Sequence, residues 1–336
     1  MTNEVQPVVS VLIVTYNQER FIARAIEGAL AQWCDFPVEI VIGDDCSTDR
    51  TAAICRDYEQ RCPGVVRLVS YRQNKGVLAN YCNTLRECRG EFIADCAGDD
   101  FWADSRKLQR QVERLRRNPG LSMVFSDYAQ CDESGHITCP SMTGYGSDME
   151  FSYASDIYRL MDQHGKTFVF TGSACFRKET FLSACETNPI FFRGFPCEDF
   201  QLVFFMLRAG NIYYENRVTA CYRVLSNTVS HHRSLRKMYE FEFGVFRLRT
   251  ELILRFGLDA GRCSGYLESA LRGLLSMTVK YGTDSRRKEL LSIYGELLKR
   301  GYRPQRSVRM YAAVASSRFT QLLFRPAFLL LGKKKA

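Results

Sequence analysis

The chain is expected to fold as an α/β protein, a mostly parallel sheet flanked by helices and followed by a C-terminal helical region. Three observations carry this expectation. Short β-branched runs alternate with amphipathic helical stretches through about the first hundred residues, the pattern of right-handed β-α-β crossovers. Several of these runs end in polar or acidic side chains, and in an open α/β sheet ligands bind at the carboxyl ends of the strands. From about Ser234 the strand signals stop and helix-forming sequence takes over. At 336 residues the chain exceeds a typical single domain, so the expected division is one domain over residues 1–233 and a helical region over 234–336.

The first strand is the run Val8 to Val14, apolar on both faces as a buried parallel strand requires, and it stops at Thr15-Tyr16-Asn17. Phe21, Ile22, Ala25, Ile26, Ala29 and Leu30 then follow helical spacing. A second strand, Val38 to Ile42, runs into Gly43-Asp44-Asp45-Cys46-Ser47-Thr48-Asp49, where Ser47 or Thr48 is placed to cap the next helix. A third strand over Val65 to Tyr71 leads through Asn74-Lys75-Gly76 into a helix from Val77 to about Arg89, with Gly90 as its stop. The fourth strand, Glu91 to Ala94, delivers Asp99 and Asp100, followed by Phe101 and Trp102. A helix over Asp104 to Arg117, a strand over Leu121 to Tyr128 and an irregular polar stretch from His136 to Tyr153 come next, the last expected on the acceptor side. Phe168 to Cys175 is apolar around Thr171-Gly172-Ser173. Glu198 and Asp199 open a helix, and Asn211 to Tyr214 and Val218 to Val224 read as closing strands. Helices fit Tyr239–Phe256, Tyr266–Tyr281, Arg287–Lys299 and Val308–Leu323.

Net charge is +9, from 46 basic and 37 acidic residues, which suits polyanions, phosphorylated substrates or an anionic membrane without choosing among them. The basic residues are dispersed and no nucleic-acid motif appears, so nucleic-acid binding is the weakest of these readings. Fourteen cysteines are scattered without metal-binding spacing and read as reduced thiols of a cytoplasmic protein. Met1 to Gln6 lacks the pattern of a signal peptide, and no stretch approaches a membrane span of roughly 20 apolar residues. The first strand-helix turn is Thr-Tyr-Asn-Gln, with neither a dinucleotide-binding nor a P-loop glycine pattern. A diphosphate would therefore need its charge met by a metal, and the Asp99/Asp100 pair suits one. The plain alternative is an Asp-rich turn capping the helix near Ser105, with Glu198 and Asp199 likewise ordinary caps.

Taken together, Val11 to Asn17, Gly43 to Asp49, Asn74-Lys75-Gly76 with Asn80, Gly98-Asp99-Asp100-Phe101-Trp102 and Glu198-Asp199 resemble, in order across about 230 residues, the family 2 glycosyltransferases of the GT-A fold. The resemblance implies an inverting transfer of a sugar from a nucleoside diphosphate to an acceptor hydroxyl. It implies that Thr15 and Tyr16 line the nucleoside pocket and that Asp45 accepts a hydrogen bond from the base. Asp99 then faces the ribose or diphosphate, Asp100 is the principal ligand of Mg²⁺ or Mn²⁺, and Asp199 is the general base with Glu198 as rival. Two departures stand out: Ala97 occupies a position where relatives often carry an acid, and Leu225 follows Tyr222-Arg223-Val224 where many relatives soon place a histidine. His231 and His232 lie a few residues on, either near the diphosphate or in a solvated loop.

Arg72, Lys75 and Arg223 flank the crevice as candidates for phosphate contact, and Trp102 either stacks on an acceptor sugar or packs in the core. Competing readings are a sugar-nucleotide nucleotidyltransferase, which needs a basic glycine-rich loop absent here, and a non-catalytic nucleotide-sugar-binding module, against which Asp199 speaks. The C-terminal run Phe319 to Lys335 mixes leucine and phenylalanine with arginine and lysine. It either seals the helical region or lies on the inner face of a membrane, and the second suits a lipid-linked or glycan acceptor in bacterial-type polysaccharide or cell-envelope assembly.

Overall fold

The computed structural model describes residues 6–162, 169–188, 190, 195–196, 198–225, 234–281 and 283–316. Two compact units form, one of residues 1–157 and 167–225, the other of 158–166 and 226–336. In the first unit the β-branched runs become β1 (Val9–Thr15), β2 (Val38–Asp44), β3 (Val66–Ser70) and β4 (Phe92–Ala97), connected by α1 (Ile22–Leu30), α2 (Thr51–Arg61) and α3 (Val77–Glu87). There follow β5 (Phe101–Trp102), α4 (Lys107–Arg117), β6 (Leu121–Cys131), β7 (Ile137–Cys139), β8 (Met149–Phe151), α5 (Tyr153–Met161), whose residues from Tyr158 on belong to the second unit, β9 (Cys175–Arg177), α6 (Lys178–Thr187), α7 (Glu198–Ala209) and β10 (Asn211–Arg223). The ten strands make one sheet in the order β3-β2-β1-β4-β9-β6-β10-β5, with β7 on β6 and β8 on β10.

β1 pairs in parallel with both β2 and β4, β2 with β3, and β6 with β10, as the alternation of strands and helices predicts. The short strands are antiparallel: β5 and β8 on β10, β7 on β6, and β9 wedged between β4 and β6. The three residues of β9 are too short to leave a periodic signal. Alternate residues of β1 and β2, Val9, Val11, Ile13, Ile40 and Ile42, share a core with Ile22 and Ile26 of α1 and with Leu108, Val112 and Leu115 of α4. The period-2 and period-3.6 patterns meet there, and burying each such side chain contributes about 1.5–3 kcal/mol. α3 packs across β1 and β2. Gly43 permits that approach, since a Cβ there would stand 1.9 Å from Thr84 Oγ1 and 2.6 Å from Asn80 Oδ1. In its place Asn80 Nδ2 donates to the Gly43 carbonyl at 2.8 Å.

Several local details differ from expectation. Ser47 and Thr48 do not cap α2; Ser47 Oγ accepts the Asn17 amide and the Thr48 amide donates to Asn17 Oδ1, while Asp49 Oδ1 accepts the Thr51 amide. Gly90 serves close backbone approach rather than helix termination, for a Cβ there would lie 2.5 Å from the Ser10 nitrogen. The two closing strands are one strand, β10, with register shifts around Glu215 to Val218. The polar stretch after β6 carries the short strands β7 and β8.

The second unit contains α8 (Leu235–Arg255), α9 (Ser264–Tyr281), α10 (Asp284–Lys299) and α11 (Arg306–Ser316). Thr283 caps α10 by accepting the Arg286 amide, and Tyr302 donates to Glu268 at 2.8 Å inside the unit. Among the described residues no helix is long and apolar enough to cross a membrane, and every cysteine is a free thiol. The run from Phe319 to Lys335 lies outside the described residues, as do His231 and His232.

Glu39, 2% exposed, ties the amino ends of three strands together. It accepts Ser10 Oγ at 2.6 Å, the Arg89 amide at 2.6 Å and Arg89 Nε at 2.9 Å, and Ser10 Oγ in turn accepts the Gly90 amide. Burial works against its ionisation, but the hydrogen bonds from Ser10 and Arg89 win and hold its carboxyl below the ordinary value. A depressed carboxyl stabilises the fold above its unfolded pKa and loses that contribution as pH falls through the folded one. Glu39→Gln is expected to lower stability at neutral pH by about 2 kcal/mol in urea denaturation, less than a fully buried pair because Arg89 is partly solvated, with the difference from wild type closing in acid.

Candidate active site

Four of the residues singled out in the sequence stand at the carboxyl ends of adjacent strands. Thr15 ends β1, Asp45 follows β2, and Asp99 and Asp100 follow β4. Two loops are stitched together there by Asn17, which like Cys46 lies in the left-handed region, at φ 54° and 63°. The Asp45 amide donates to the Thr15 carbonyl at 3.0 Å, and Gln18 and Glu19 reach across with their amides to Thr51 Oγ1 and Asp49 Oδ2. Thr15 is buried, whereas Tyr16 is 46% exposed, an open aromatic face beside the crevice.

Asp45 receives the Lys75 amide at 2.7 Å and the Gly76 amide at 2.8 Å on separate oxygens. Asn74 Nδ2 returns a bond to the Asp45 carbonyl. Each carboxylate oxygen keeps a further lone pair, so a base could still be read there. A cavity of about 470 Å³ opens beside this loop, lined by Lys75, Val77, Cys82, Asn83, Arg86 and Phe195 among others.

Asp100 is 4% exposed and Asp99 half-buried. Gly98 brings them up close to Thr15 and Gln18, since a Cβ there would meet Gln18 Oε1 at 2.4 Å and Thr15 Oγ1 at 2.8 Å. Arg223, 3% exposed at the end of β10, holds the turn. Its amide donates to Asp100 Oδ1 at 2.8 Å, its Nε to the Asp99 carbonyl at 2.9 Å, and its Nη1 to the Glu133 carbonyl at 2.7 Å. The guanidinium lies over the rings of Phe21 and Phe101. Burial raises both carboxyls; Asp99's charge pushes Asp100 further up, and Arg223 pulls against this.

Such a pair is short of positive charge, and its hard oxygens suit Mg²⁺ or Mn²⁺. Among the described residues no group of three or more His, Cys, Asp or Glu is placed to hold a metal ion.

Glu198 and Asp199 form a second acidic group in the first turn of α7, where free amides and the helix dipole favour negative charge. Asp199 Oδ1 accepts the Phe200 amide at 2.9 Å. Burial and then Asp199's charge push Glu198 up to about 8. Trp102 is a core residue: it is 5% exposed and its indole donates to the Gly172 carbonyl at 2.8 Å. Lys107, which is fully buried, sits over that ring at 4.2 Å.

This sheet, with acids at its carboxyl edge, is that of the GT-A glycosyltransferases. The first 349 residues of TarS from S. aureus, solved with UDP-GlcNAc, superpose with a TM-score of 0.62 at 17% identity, covering 95% of this chain and 92% of that one. The mannosyltransferase PcManGT of Pyrobaculum calidifontis, solved with GDP-Man and Mn²⁺, gives a TM-score of 0.50 at 17% identity over 95% of this chain and 87% of that one. Residues 10–182 match glycosyl transferase family 2, and the chain belongs to that family. An uncharacterized protein of Mycobacterium tuberculosis is 41% identical over 126 residues, 38% of this chain and 36% of its own length. Chondroitin synthase of Escherichia coli is 31% identical over 131 residues, 39% of this chain and 18% of its own. The chain thus spans well under half the length of these two relatives.

Arg223, a candidate phosphate contact in the sequence, also holds the Asp99–Asp100 turn, a role the sequence did not reveal. Sequence reasoning missed Gln18 and Asp95, whose signal was only a polar residue within or just after an apolar strand. Replacing the Arg223 side chain keeps the amide that Asp100 accepts but leaves the carbonyls of Asp99, Asp132 and Glu133 without their guanidinium donor and takes the cation from over Phe21 and Phe101. Arg223→Met is expected to cost about 3 kcal/mol in urea denaturation, the lower end for breaking a buried charge-assisted network.

Proposed function

We propose that this chain transfers a sugar from a nucleoside-diphosphate donor to an acceptor hydroxyl with inversion, in the assembly of a bacterial-type polysaccharide or cell-envelope glycan. The observation that carries the reading is the division of the acids into two groups, Asp99/Asp100 at the end of β4 and Glu198/Asp199 at the start of α7. Departure of a diphosphate and deprotonation of a hydroxyl are opposite demands, and one carboxylate cannot serve both. Support comes from membership of glycosyl transferase family 2 and from the donors bound in the two solved neighbours, UDP-GlcNAc and GDP-Man.

In this reading Thr15 and the open face of Tyr16 line the nucleoside pocket, and Asp45 accepts from the base. Asp99 faces the ribose or diphosphate, and Asp100 is the principal ligand of Mg²⁺ or Mn²⁺, with Arg223 fixing its carboxylate. The metal, when bound, supplies the charge that a leaving diphosphate needs. Asp199 takes the proton of the acceptor hydroxyl as its oxygen attacks the anomeric carbon from the face opposite the diphosphate. Glu198, its carboxyl raised by burial and by Asp199's charge, leaves its neighbour to act as the base. Contact with a membrane through the tail from Phe319 to Lys335 would bring a lipid-linked acceptor to this edge, and loss of vesicle binding on removal of that tail is its test.

Incubation with a panel of nucleotide sugars and Mn²⁺ should release nucleoside diphosphate from at least one donor; silence across the panel would sink the reading. Asp100→Ala is expected to abolish Mn²⁺-dependent diphosphate binding in calorimetry, and unchanged affinity would remove Asp100 from the metal. Asp199→Asn should lower kcat by about 10²–10⁴ with donor affinity nearly intact. Glu198→Gln should be far milder, because the amide mimics the protonated form that burial favours; the reverse order would reassign the base.

A further inference from the structure

The cavity beside the Asp45 loop has no part in the chemistry assigned above. Its volume, about 470 Å³, falls within the range of small-molecule sites, about 300–1,000 Å³. Thr15, Tyr16, Asp45, Asp99 and Asp100 do not line it, so it is distinct from the nucleoside pocket. Most of its wall is one face of α3. Asn80, Tyr81, Thr84 and Leu85 are buried as that helix packs across β1 and β2, which leaves Ala79, Asn83 and Arg86, at i, i+4 and i+7, to line the opening. Val77, Leu78 and Phe195 supply apolar surface. Every charged side chain among the described lining residues is a cation. Lys75 precedes the helix, its ammonium 4.7 Å from the centre of the Tyr71 ring, and Arg86 stands near the far end, its Nη1 donating to Asn83 Oδ1 at 3.1 Å. About 14 Å of helix runs between Val77 and Arg86. The acids close by are not part of the lining: Asp45 accepts the backbone amides of Lys75 and Gly76, and Glu87 pairs with Arg67 at 2.9 Å. The cavity also touches both ends of the proposed reaction. At Lys75 and Gly76 it begins on the loop that holds Asp45. At Phe195 it reaches the approach to α7: Glu198 is the third residue on, so the two Cα atoms stand within about 11 Å.

We propose that this cavity is an acceptor subsite for an anionic saccharide, a sugar chain bearing carboxylates or phosphates, with Arg86 on an acidic group and Val77, Leu78 and Phe195 against the apolar faces of the rings. The inference rests on the reading of Asp199 as the base that takes the acceptor's proton. A chain held there is tethered within reach of the α7 acids while the nucleoside pocket stays open to the donor. Charge does the selecting. Arg86 offers paired N–H donors that match two oxygens of a carboxylate or phosphate, and hydrogen bonds to an ionised group are roughly twice as strong as those to a neutral one. A neutral chain of the same length fills the apolar wall equally well and forfeits those bonds.

Matched pairs of probes test the class. One pair is a glucuronate-containing tetrasaccharide and the same chain with its carboxyls reduced to alcohols; the other is a mannose tetrasaccharide carrying a phosphomonoester and its dephosphorylated form. Affinities are measured by calorimetry on the full chain, with and without saturating UDP and Mn²⁺, and the Ala79 methyl of alanine-labelled protein is followed by NMR. At least one anionic probe should bind about tenfold more tightly than its neutral counterpart, by a margin that shrinks as salt is added. That probe should shift the Ala79 resonance and keep its affinity when UDP is bound. Which pair shows the margin separates a carboxylate acceptor from a phosphate one. Arg86 is exposed on the helix surface, so its replacement leaves the core untouched. Arg86→Gln should remove most of the margin with the neutral probes binding as before, and Arg86→Lys, which keeps the charge and loses the fork, should restore part of it. Equal affinity within both pairs, an Arg86→Gln protein that keeps the preference, an unmoved Ala79 methyl, or displacement of the probe by UDP each overturns the proposal. Failure of the transferase reading looks different: wild type would release no diphosphate from any nucleotide sugar yet still bind the anionic probe through Arg86, which leaves an anionic-saccharide site and removes its role as acceptor subsite.

Discussion

Carboxylates buried at the carboxyl edge of a sheet must each be met by hydrogen bonds or by positive charge, and much of the first unit is arranged to meet them. Asp100 is met by the backbone amide of Arg223, whose guanidinium holds the Asp99 carbonyl, Asp45 by two amides at the entry to α3, and Asp95 by Tyr81. These bonds come from different elements. The acids therefore act as clamps that join β4 to β10, the end of β2 to the Asn74–Gly76 loop, and β4 to α3.

The provision is uneven. Glu39, at the opposite edge, has three donors from the protein itself, whereas Asp45 has one on each oxygen and keeps a lone pair on both. Asp99 and Asp100 remain raised despite Arg223, and Glu198 remains raised beside Asp199. Fully satisfied acids belong to architecture, while acids left wanting charge or protons are where ligands and chemistry belong. The two under-provided groups are also the two that a metal-assisted group transfer needs.

The strands β1, β2 and β4 and the helices between them were legible in the sequence because their burial is periodic and their turns are rich in Gly, Asp and Asn. The site acids were legible because they follow those strands directly. β5, β8 and β9 were not, since two or three residues carry no period and their pairing is decided by partners far along the chain. The role of Arg223 escaped for the same reason: an arginine in a strand looks solvent-facing until β10 is laid beside β6 and its end meets the turn after β4. Trp102 could be read either as a stacking platform or as core, and only the carbonyl of Gly172, 70 residues away, decides for core.

Gly43 has a bearing on how such a chain can drift over generations. Its missing side chain, the amide of Asn80 and the hydroxyl of Thr84 occupy one small volume, and none can grow unless another shrinks or turns. Thr84 Oγ1 also donates to the Asn80 carbonyl at 2.8 Å, so the two helix residues are coupled through more than crowding. Inheritance should treat the three as a single character. A change at position 43 would be tolerated only in a background already altered at 80 or 84, and the order in which such changes arise would then be constrained by packing rather than by catalysis.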